Sequence, residues 1–349
     1  MLLSDICEII MGQSPSSDSY NVKGQGLPFF QGNADFGKLY PSVRLWCNCP
    51  IKKAEAGDLL VSVRAPIGAV NLANQKCCIG RGLAALRPYR DKCDAMYLYY
   101  LIKAGKNKLN WLGTGSTFKA ITRSSLLSFN VPDYCIAFQR KISGKLWSVD
   151  KLIHQRNEQL KLFDLLIQSR FLEMFGDIEL NSQNMQKMMW QEVFDTQTGK
   201  LDANAAVKGG RYPFFTCAKE ISTIDEYAYD CEALLLAGNN AVGDYDVKYY
   251  KGKFNAYQRT YILMLKNRQY SYSVFKFQLE QKLRYLQLQS KGTNTRYLTM
   301  GILKSLDFIV PPIVKQQEFA QFVNATDKSK YRDAIFLYLL EDIRICCNI

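Results

Sequence analysis

The chain repeats itself, and the repeat sets its architecture. The string Gly115-Ser-Thr-Phe-Lys-Ala-Ile-Thr122 returns, 177 positions on and without a gap, as Gly292-Thr-Asn-Thr-Arg-Tyr-Leu-Thr299. Glycine meets glycine, Ser116 meets Thr293, Lys119 meets Arg296, Ile121 meets Leu298 and Thr122 meets Thr299. The same offset carries Leu126 to Leu303 and Ser128 to Ser305. Val131-Pro132 then answers Val310-Pro311, Gln139 answers Gln317 with one residue of slip, and Val149-Asp-Lys151 answers Thr326-Asp-Lys328. Upstream the match is looser: Pro28-Phe-Phe30 aligns with Pro213-Phe-Phe215, and Gly57-Asp-Leu-Leu60 with Cys231-Glu-Ala-Leu-Leu235. A common offset over this length means two copies of one unit, and 349 residues suit about two domains of ordinary size. The framework repeats while the loops differ, as expected of one scaffold that displays two surfaces.

Each unit reads as α+β. Leu59–Val63, Arg81–Arg87, Ala233–Ala237 and Thr260–Leu265 are short apolar runs bounded by turn residues, which predicts strands. A helix follows in each copy, over Ala95–Ala104 and Ser273–Gln281. Short strands mixed with helices exclude a doubly wound sheet.

A long helix then closes the unit. No proline interrupts Ile136 to Phe175, and the single glycine, Gly144, lies near the start. Leu146, Ile153, Leu160, Ile167 and Met174 recur every seven residues, with Val149 and Phe163 three residues after members of that series. This period predicts a coiled-coil seam. A helix of this length would span roughly 60 Å, and Gly176-Asp177 ends it. The second copy starts near Val314, with Phe319, Phe322 and Val323 close behind. The natural partner for the first seam is this second helix, folded back antiparallel; the alternative is a surface helix packed on its own domain. The expected division is therefore 1–135, 136–177, 178–313 and 314–349.

Composition bears on the partner. Forty-five Lys and Arg against 32 Asp and Glu leave a net charge of +13. That surplus favours a polyanion, because neutralising phosphates releases condensed counterions. The 11 cysteines include no CxxC pair, and the one histidine, His154, removes most mixed zinc sites. Reduced thiols in a cytoplasmic protein are the expectation. The first residues lack the basic start of a signal peptide, and no apolar run reaches membrane-spanning length.

No catalytic pattern emerges. Walker A, GxGxxG after a strand, GxSxG and Asn-Pro-Pro-aromatic strings are all missing. Glu280-Gln-Lys282 resembles half of a nuclease motif but lacks an upstream Asp, and reads as a solvated helix face. The expectation is no catalytic residue, no metal site and no cofactor in this chain.

What remains are basic, aromatic and amide clusters in loops. In the first copy they include Gln31, Asn33, Ser62, Arg64 and Arg81, and in the second Lys219, Asn239, Asn240, Lys251, Lys253, Tyr257, Gln258 and Arg259. Arg and Asn or Gln make bidentate contacts with guanine and adenine edges, whereas Lys, Tyr and Ser more often hold phosphates. Lys119 and Arg296, matched by the repeat, are candidates for phosphates. Arg64 has Asp58 and Glu55 as alternative partners.

These strings resemble the specificity subunits of type I restriction-modification systems. The resemblance rests on Pro28-Phe-Phe-Gln-Gly-Asn-Ala-Asp-Phe-Gly37, Gly57-Asp-Leu-Leu-Val-Ser-Val-Arg-Ala-Pro-Ile-Gly68, Gly115-Ser-Thr-Phe-Lys-Ala-Ile121, and Ser128-Phe-Asn-Val-Pro132 running through Gln139-Arg-Lys-Ile142. In the second copy Tyr212-Pro-Phe-Phe-Thr216 and Lys251-Gly-Lys-Phe-Asn-Ala-Tyr-Gln-Arg-Thr260 carry it. It implies two target-recognition domains, each reading half of a split duplex site, separated by long helices that form an antiparallel coiled coil, set the unread spacer and dock partners. It further implies two methyltransferase subunits bringing S-adenosylmethionine, and motor-nuclease subunits bringing ATP and Mg. The match fades after Asp327-Lys328, which raises a shortened second helix and a non-assembling subunit as one alternative. A stand-alone DNA-modifying enzyme is the other.

Overall fold

The computed structural model describes residues 1–113 and 119–346, with side chains up to Glu341. Gly115 to Phe118 of the first repeated string, and Cys347, lie outside the described residues. The chain forms two compact units, Met1–Asn157 with the segment from Ile335 onward, and Glu158–Ala334.

Among the described residues the first unit carries nine strands: β1 (Cys7–Met11), β2 (Tyr20–Asn21), β3 (Leu27–Phe30), β4 (Leu45–Cys47), β5 (Lys53–Ala54), β6 (Leu59–Ser62), β7 (Val70–Leu72), β8 (Cys77–Ile79) and β9 (Leu83–Pro88). Helices α1 (Ala95–Ala104), α2 (Lys106–Leu112) and α3 (Arg123–Leu127) follow, and α4 (Ile136–Phe175) starts within this unit. The strands form two sheets, β1-β9-β6-β7 and β2-β4-β3-β8-β5, with β3 and β8 parallel. β6 is apolar on both faces because it is covered on both. Leu59 and Val61 pack with Leu98 and Ile102 of α1, while Leu60 packs with Phe30, Ile79 and Ala85.

The second unit opens with β10 (Gln186–Met189), α5 (Trp190–Val193) and β11 (Phe194–Thr198), followed by β12 (Tyr212–Phe215), β13 (Ser222–Ile224), β14 (Tyr229–Ala237), β15 (Asn239–Asn240), β16 (Val247–Ala256) and β17 (Thr260–Leu265). Then come α6 (Tyr272–Gln281), α7 (Leu283–Gln289), β18 (Arg296–Tyr297), α8 (Met300–Lys304), β19 (Asp307–Val310) and α9 (Ile313–Cys346). Here one six-stranded sheet, β11-β17-β14-β16-β12-β13, replaces the two sheets of the first unit. The reason is local. β16 pairs antiparallel with β14 and, at its end, parallel with β12. In the first unit those roles fall to β7 and β8, which the exposed residues 74–76 separate.

The long helices follow the seven-residue seam. Leu146, Ile153 and Met174 are buried, and Leu160 and Ile167 are half-buried. α4 and α9 run antiparallel. In the second unit Asp164 pairs with Lys330 at 2.6 Å and Phe171 packs on Phe319. In the first, Arg156 lies over the Phe336 ring. Gly176, at φ +71°, ends α4 in the left-handed region that glycine enters without a Cβ clash. Among the described residues α9 runs for 34 residues and α4 for 40.

Two alignments need correction. The counterpart of Gln139 is Gln316, not Gln317. Gln139 accepts the Asp94 N–H and donates to the Tyr134 carbonyl; Gln316 accepts the Ser271 N–H and donates to the Pro311 carbonyl. The offset of 177 therefore continues without slip. Val131 likewise corresponds to Phe308 rather than Val310: the Val131 N–H bonds to the Met1 carbonyl just as Phe308 pairs with Met188. Both glutamines are buried, and each locks the residue preceding an earlier helix onto the start of a long one.

Candidate nucleic-acid interface

In each unit the same main-chain bonds draw separate loops together. In the first, Gly12 N–H donates to the Leu83 carbonyl (2.9 Å), Gly80 to Phe30 (2.8 Å), Val63 to Gly82 (3.0 Å) and Ile121 to Val63 (2.8 Å). In the second, Gly199 donates to Thr260 (3.2 Å), Tyr257 to Phe215 (2.9 Å), Gly238 to Arg259 (2.8 Å) and Leu298 to Gly238 (2.8 Å). Arg64 bridges Ala120, and at the matching place Asn239 pairs with Tyr297 and Asn240 with Arg296. Residues distant in sequence thus converge on one loop cluster per unit, wired alike and furnished differently.

The first cluster brings together Gln31, Arg64, Arg81 and Lys119, all exposed. Asn33 opens a short turn beside them. Asp35 fixes that turn: its buried carboxylate accepts the Gln31 N–H at 2.7 Å and pairs with Arg44. Arg81 is held from behind, its N–H donating to Ser14 Oγ at 3.3 Å. Gly82 allows the close approach, because a Cβ there would lie 2.3 Å from the Gln31 carbonyl oxygen. Neither alternative partner takes Arg64. Asp58 pairs with Arg87 at 2.9 Å, and Glu55 with Lys76 at 2.6 Å. Ser62 is a correction: it is buried, and its hydroxyl donates to the Arg64 carbonyl at 2.9 Å. It shapes the Arg64 loop.

The second cluster unites Asn239, Tyr257, Gln258, Arg259 and Arg296. Gln258 and Arg259 are exposed, and Tyr257 is half-buried. Arg296 donates to the Gln287 carbonyl at 3.1 Å, which orients it. Asn240 spends its side-chain oxygen on the Val242 and Asp244 N–H groups, a turn-forming role. Three expected lysines are otherwise engaged. Lys219 pairs with Asp244, Lys251 pairs with Glu232 at 3.0 Å, and Lys253 sits 4.6 Å from the Tyr227 ring centroid. Lys251 and Lys253 lie within β16 rather than in the loop after it.

Sequence reasoning missed Gln13 and Ser14, whose loop backs Arg81. The Gly12-Gln-Ser14 string was the available signal. Of the seam residues Leu146, Ile153, Leu160, Ile167 and Met174, assigned to partner contact from the sequence, the first two and the last are buried and the other two half-buried. The exposed apolar side chains of α4 are others, among them Trp147, Leu162, Leu165, Leu166 and Leu172.

Among the described residues no group of His, Cys, Asp or Glu can hold a metal ion, and no helix is long and apolar enough to cross a membrane. Glu280 pairs with Lys276 along α6, as a helix face would. Burial pushes the thiols of Cys77, Cys78 and Cys93 up to about 12, so they stay protonated and unreactive. Iodoacetamide on the native chain is expected to modify the exposed Cys49 and Cys135, and to reach those three only after denaturation. Comparable labelling rates at both sets, mapped by peptide mass, would refute the buried assignment.

The chain belongs to the type I restriction modification DNA specificity domain family, whose model matches residues 1–162 and again 182–332. It is 44% identical over 152 residues to the protein of Methanocaldococcus jannaschii assigned as the MjaX type I restriction enzyme specificity subunit, covering 44% of this chain and 36% of that one. It is 38% identical over 132 residues to the EcoDI type I restriction enzyme specificity subunit of Escherichia coli, covering 37% of this chain and 28% of that one. The chain thus spans well under half the length of either relative. The crystal structure of a type I restriction-modification S subunit from M. genitalium superposes with a TM-score of 0.69 at 15% identity, over 100% of this chain and 94% of that one. That likeness shows the fold: two pseudo-repeated α+β domains with long antiparallel helices.

Proposed function

We propose that this chain confers DNA sequence specificity on a type I restriction-modification complex, each loop cluster reading one half of a bipartite duplex site. The duplicated wiring carries the reading. One set of main-chain bonds, used twice, presents Arg64 and Arg81 in one copy and Asn239, Gln258 and Arg259 in the other. Guanidinium and amide groups are the side chains suited to guanine and adenine edges. Lys119 and Arg296, at matching positions, suit phosphates that set register. The chain is a non-catalytic subunit in this reading. Two methyltransferases dock on the long helices, where α4 exposes Leu162, Leu165 and Leu166; these bring S-adenosylmethionine. Motor-nuclease subunits bring ATP and Mg, and the complex works in the cytoplasm.

Co-expressed with this chain, the methyltransferase is expected to methylate adenine in one bipartite sequence across a host genome, and the complex to select that duplex from a randomised pool. Methylation without sequence preference sinks the proposal. Arg259→Ala should relax preference about tenfold or more at one base pair. Lys119→Ala should weaken binding on all sequences and lower the slope of log affinity against log salt by about 0.9. A Lys119→Ala complex with unchanged salt slope would remove that residue from the phosphate contacts.

A further inference from the structure

α2 and α7 are counterparts under the same 177-residue offset, and each exposes a large apolar side chain at the same place. Trp111 is 88% exposed and Leu288 is 72% exposed. One exposed apolar residue needs no explanation. The recurrence at matched positions, where the two copies otherwise differ in sequence, does.

Both helices brace the proposed reading loops. In the first unit the Lys106 stem packs over Gly68, where a Cβ would lie 3.0 Å from Lys106 Cγ. At the other end of α2, a Cβ on Gly113 would lie 2.9 Å from Ile67 Cδ1. α2 therefore abuts the loop that carries Arg64 at both its ends. In the second unit Gln287 of α7 donates to the Val242 carbonyl at 3.2 Å, in the loop after Asn240, and its own carbonyl receives Arg296. Neither helix carries an acid: α2 has Lys106 and Lys108, and α7 has Arg284. A basic helix without acids, continuous with a basic loop cluster, complements a phosphate backbone.

We infer that Trp111 and Leu288 are apolar DNA contacts, lying against sugars and base edges beside the bases that each cluster reads. Apolar side chains of this kind lean on or wedge between base steps next to polar contacts. The inference rests on the proposed DNA-reading function and extends its footprint to a helix in each unit. Trp111 also borders a shallow groove of about 550 Å³ with Ser128, Phe129 and Asn130. A protein partner seated there is the competing occupant.

The experiment uses the chain assembled with its methyltransferase and the duplex selected from a randomised pool. Duplex is expected to quench tryptophan emission, and Trp111→Phe to remove most of that change while still binding. Trp111→Ala and Leu288→Ala are each expected to weaken binding about tenfold on all sequences, the loss for an apolar side chain buried at an interface, with the salt slope and the thermal midpoint unchanged. Quenching that persists in Trp111→Phe, with Trp111→Ala binding within twofold of the parent, overturns the inference and leaves the DNA reading intact. Loss of methyltransferase from Trp111→Ala with DNA affinity retained overturns it in favour of a protein partner. A parent complex that selects no sequence overturns the DNA reading, and this inference with it.

Discussion

Phe171→Ala is expected to cost about 3–5 kcal/mol of folding stability, the usual loss for emptying a buried aromatic site. Phe171 is fully buried where the second unit's part of α4 meets α6 and α9. Its ring stacks on Phe277 at 4.2 Å between centroids and lies edge-on to Phe175 at 4.8 Å and Phe319 at 5.3 Å. Three aromatic partners surround one side chain, so the site cannot collapse without moving two helices. Phe171→Leu keeps most of the volume and should lose far less. Chemical denaturation of both variants checks this, and a loss under 1 kcal/mol for Phe171→Ala would show that the cluster does not hold the helices.

Gly238→Ala should have the largest effect on the second reading cluster. An added Cβ would sit 2.3 Å from the Arg259 carbonyl oxygen and 2.9 Å from the Tyr261 ring. Gly238 also uses both main-chain groups, donating to Arg259 and accepting from Leu298. Relief requires moving the Arg259 loop, the Leu298 segment or both. The overpacking should cost about 1–3 kcal/mol of stability. Selection from a randomised pool should then lose preference at one half-site and keep it at the other. Preference retained at both halves, in a variant shown to be folded, would separate Gly238 from recognition. The first unit solves the same crowding differently. Val63 occupies the place of Gly238, and Ala84 the place of Tyr261, so bulk has moved from one side of the contact to the other.

Much of the fold was legible because its signals are local. The limits of α4 follow from the absence of proline and from Gly176, and α1 begins after Asp94, whose side chain accepts the Tyr97 N–H. The seven-residue seam was legible for the same reason. What escaped depends on partners far along the chain. The basic residues of β16 read as ligand-facing because nothing near Lys251 in sequence reveals Glu232 across the sheet. Ser62 sits one residue past the apolar run of β6, and only the fold of the following loop turns its hydroxyl inward. Gln316 and Gln317 are chemically identical neighbours, and the adjacent Val-Pro string pulled the alignment out of step. The loop clusters were legible as lists of residues but not as places, since five chain segments meet in each.

The fastenings of those clusters have a consequence for how such a chain can change. Gly12, Gly80, Val63 and Ile121, and their counterparts in the second unit, are joined through amide N–H and carbonyl groups. Every residue except proline offers both groups. Arg64, Arg81 and Gln258 therefore project from a frame that does not depend on their side chains. Most exchanges at such positions leave the frame standing, so new chemistry can be tried at little risk to folding. Gly12, Gly199 and the two buried glutamines have no such latitude. A lineage descended from this chain would be expected to drift quickly at the tips of its loops and hardly at all where they are tied.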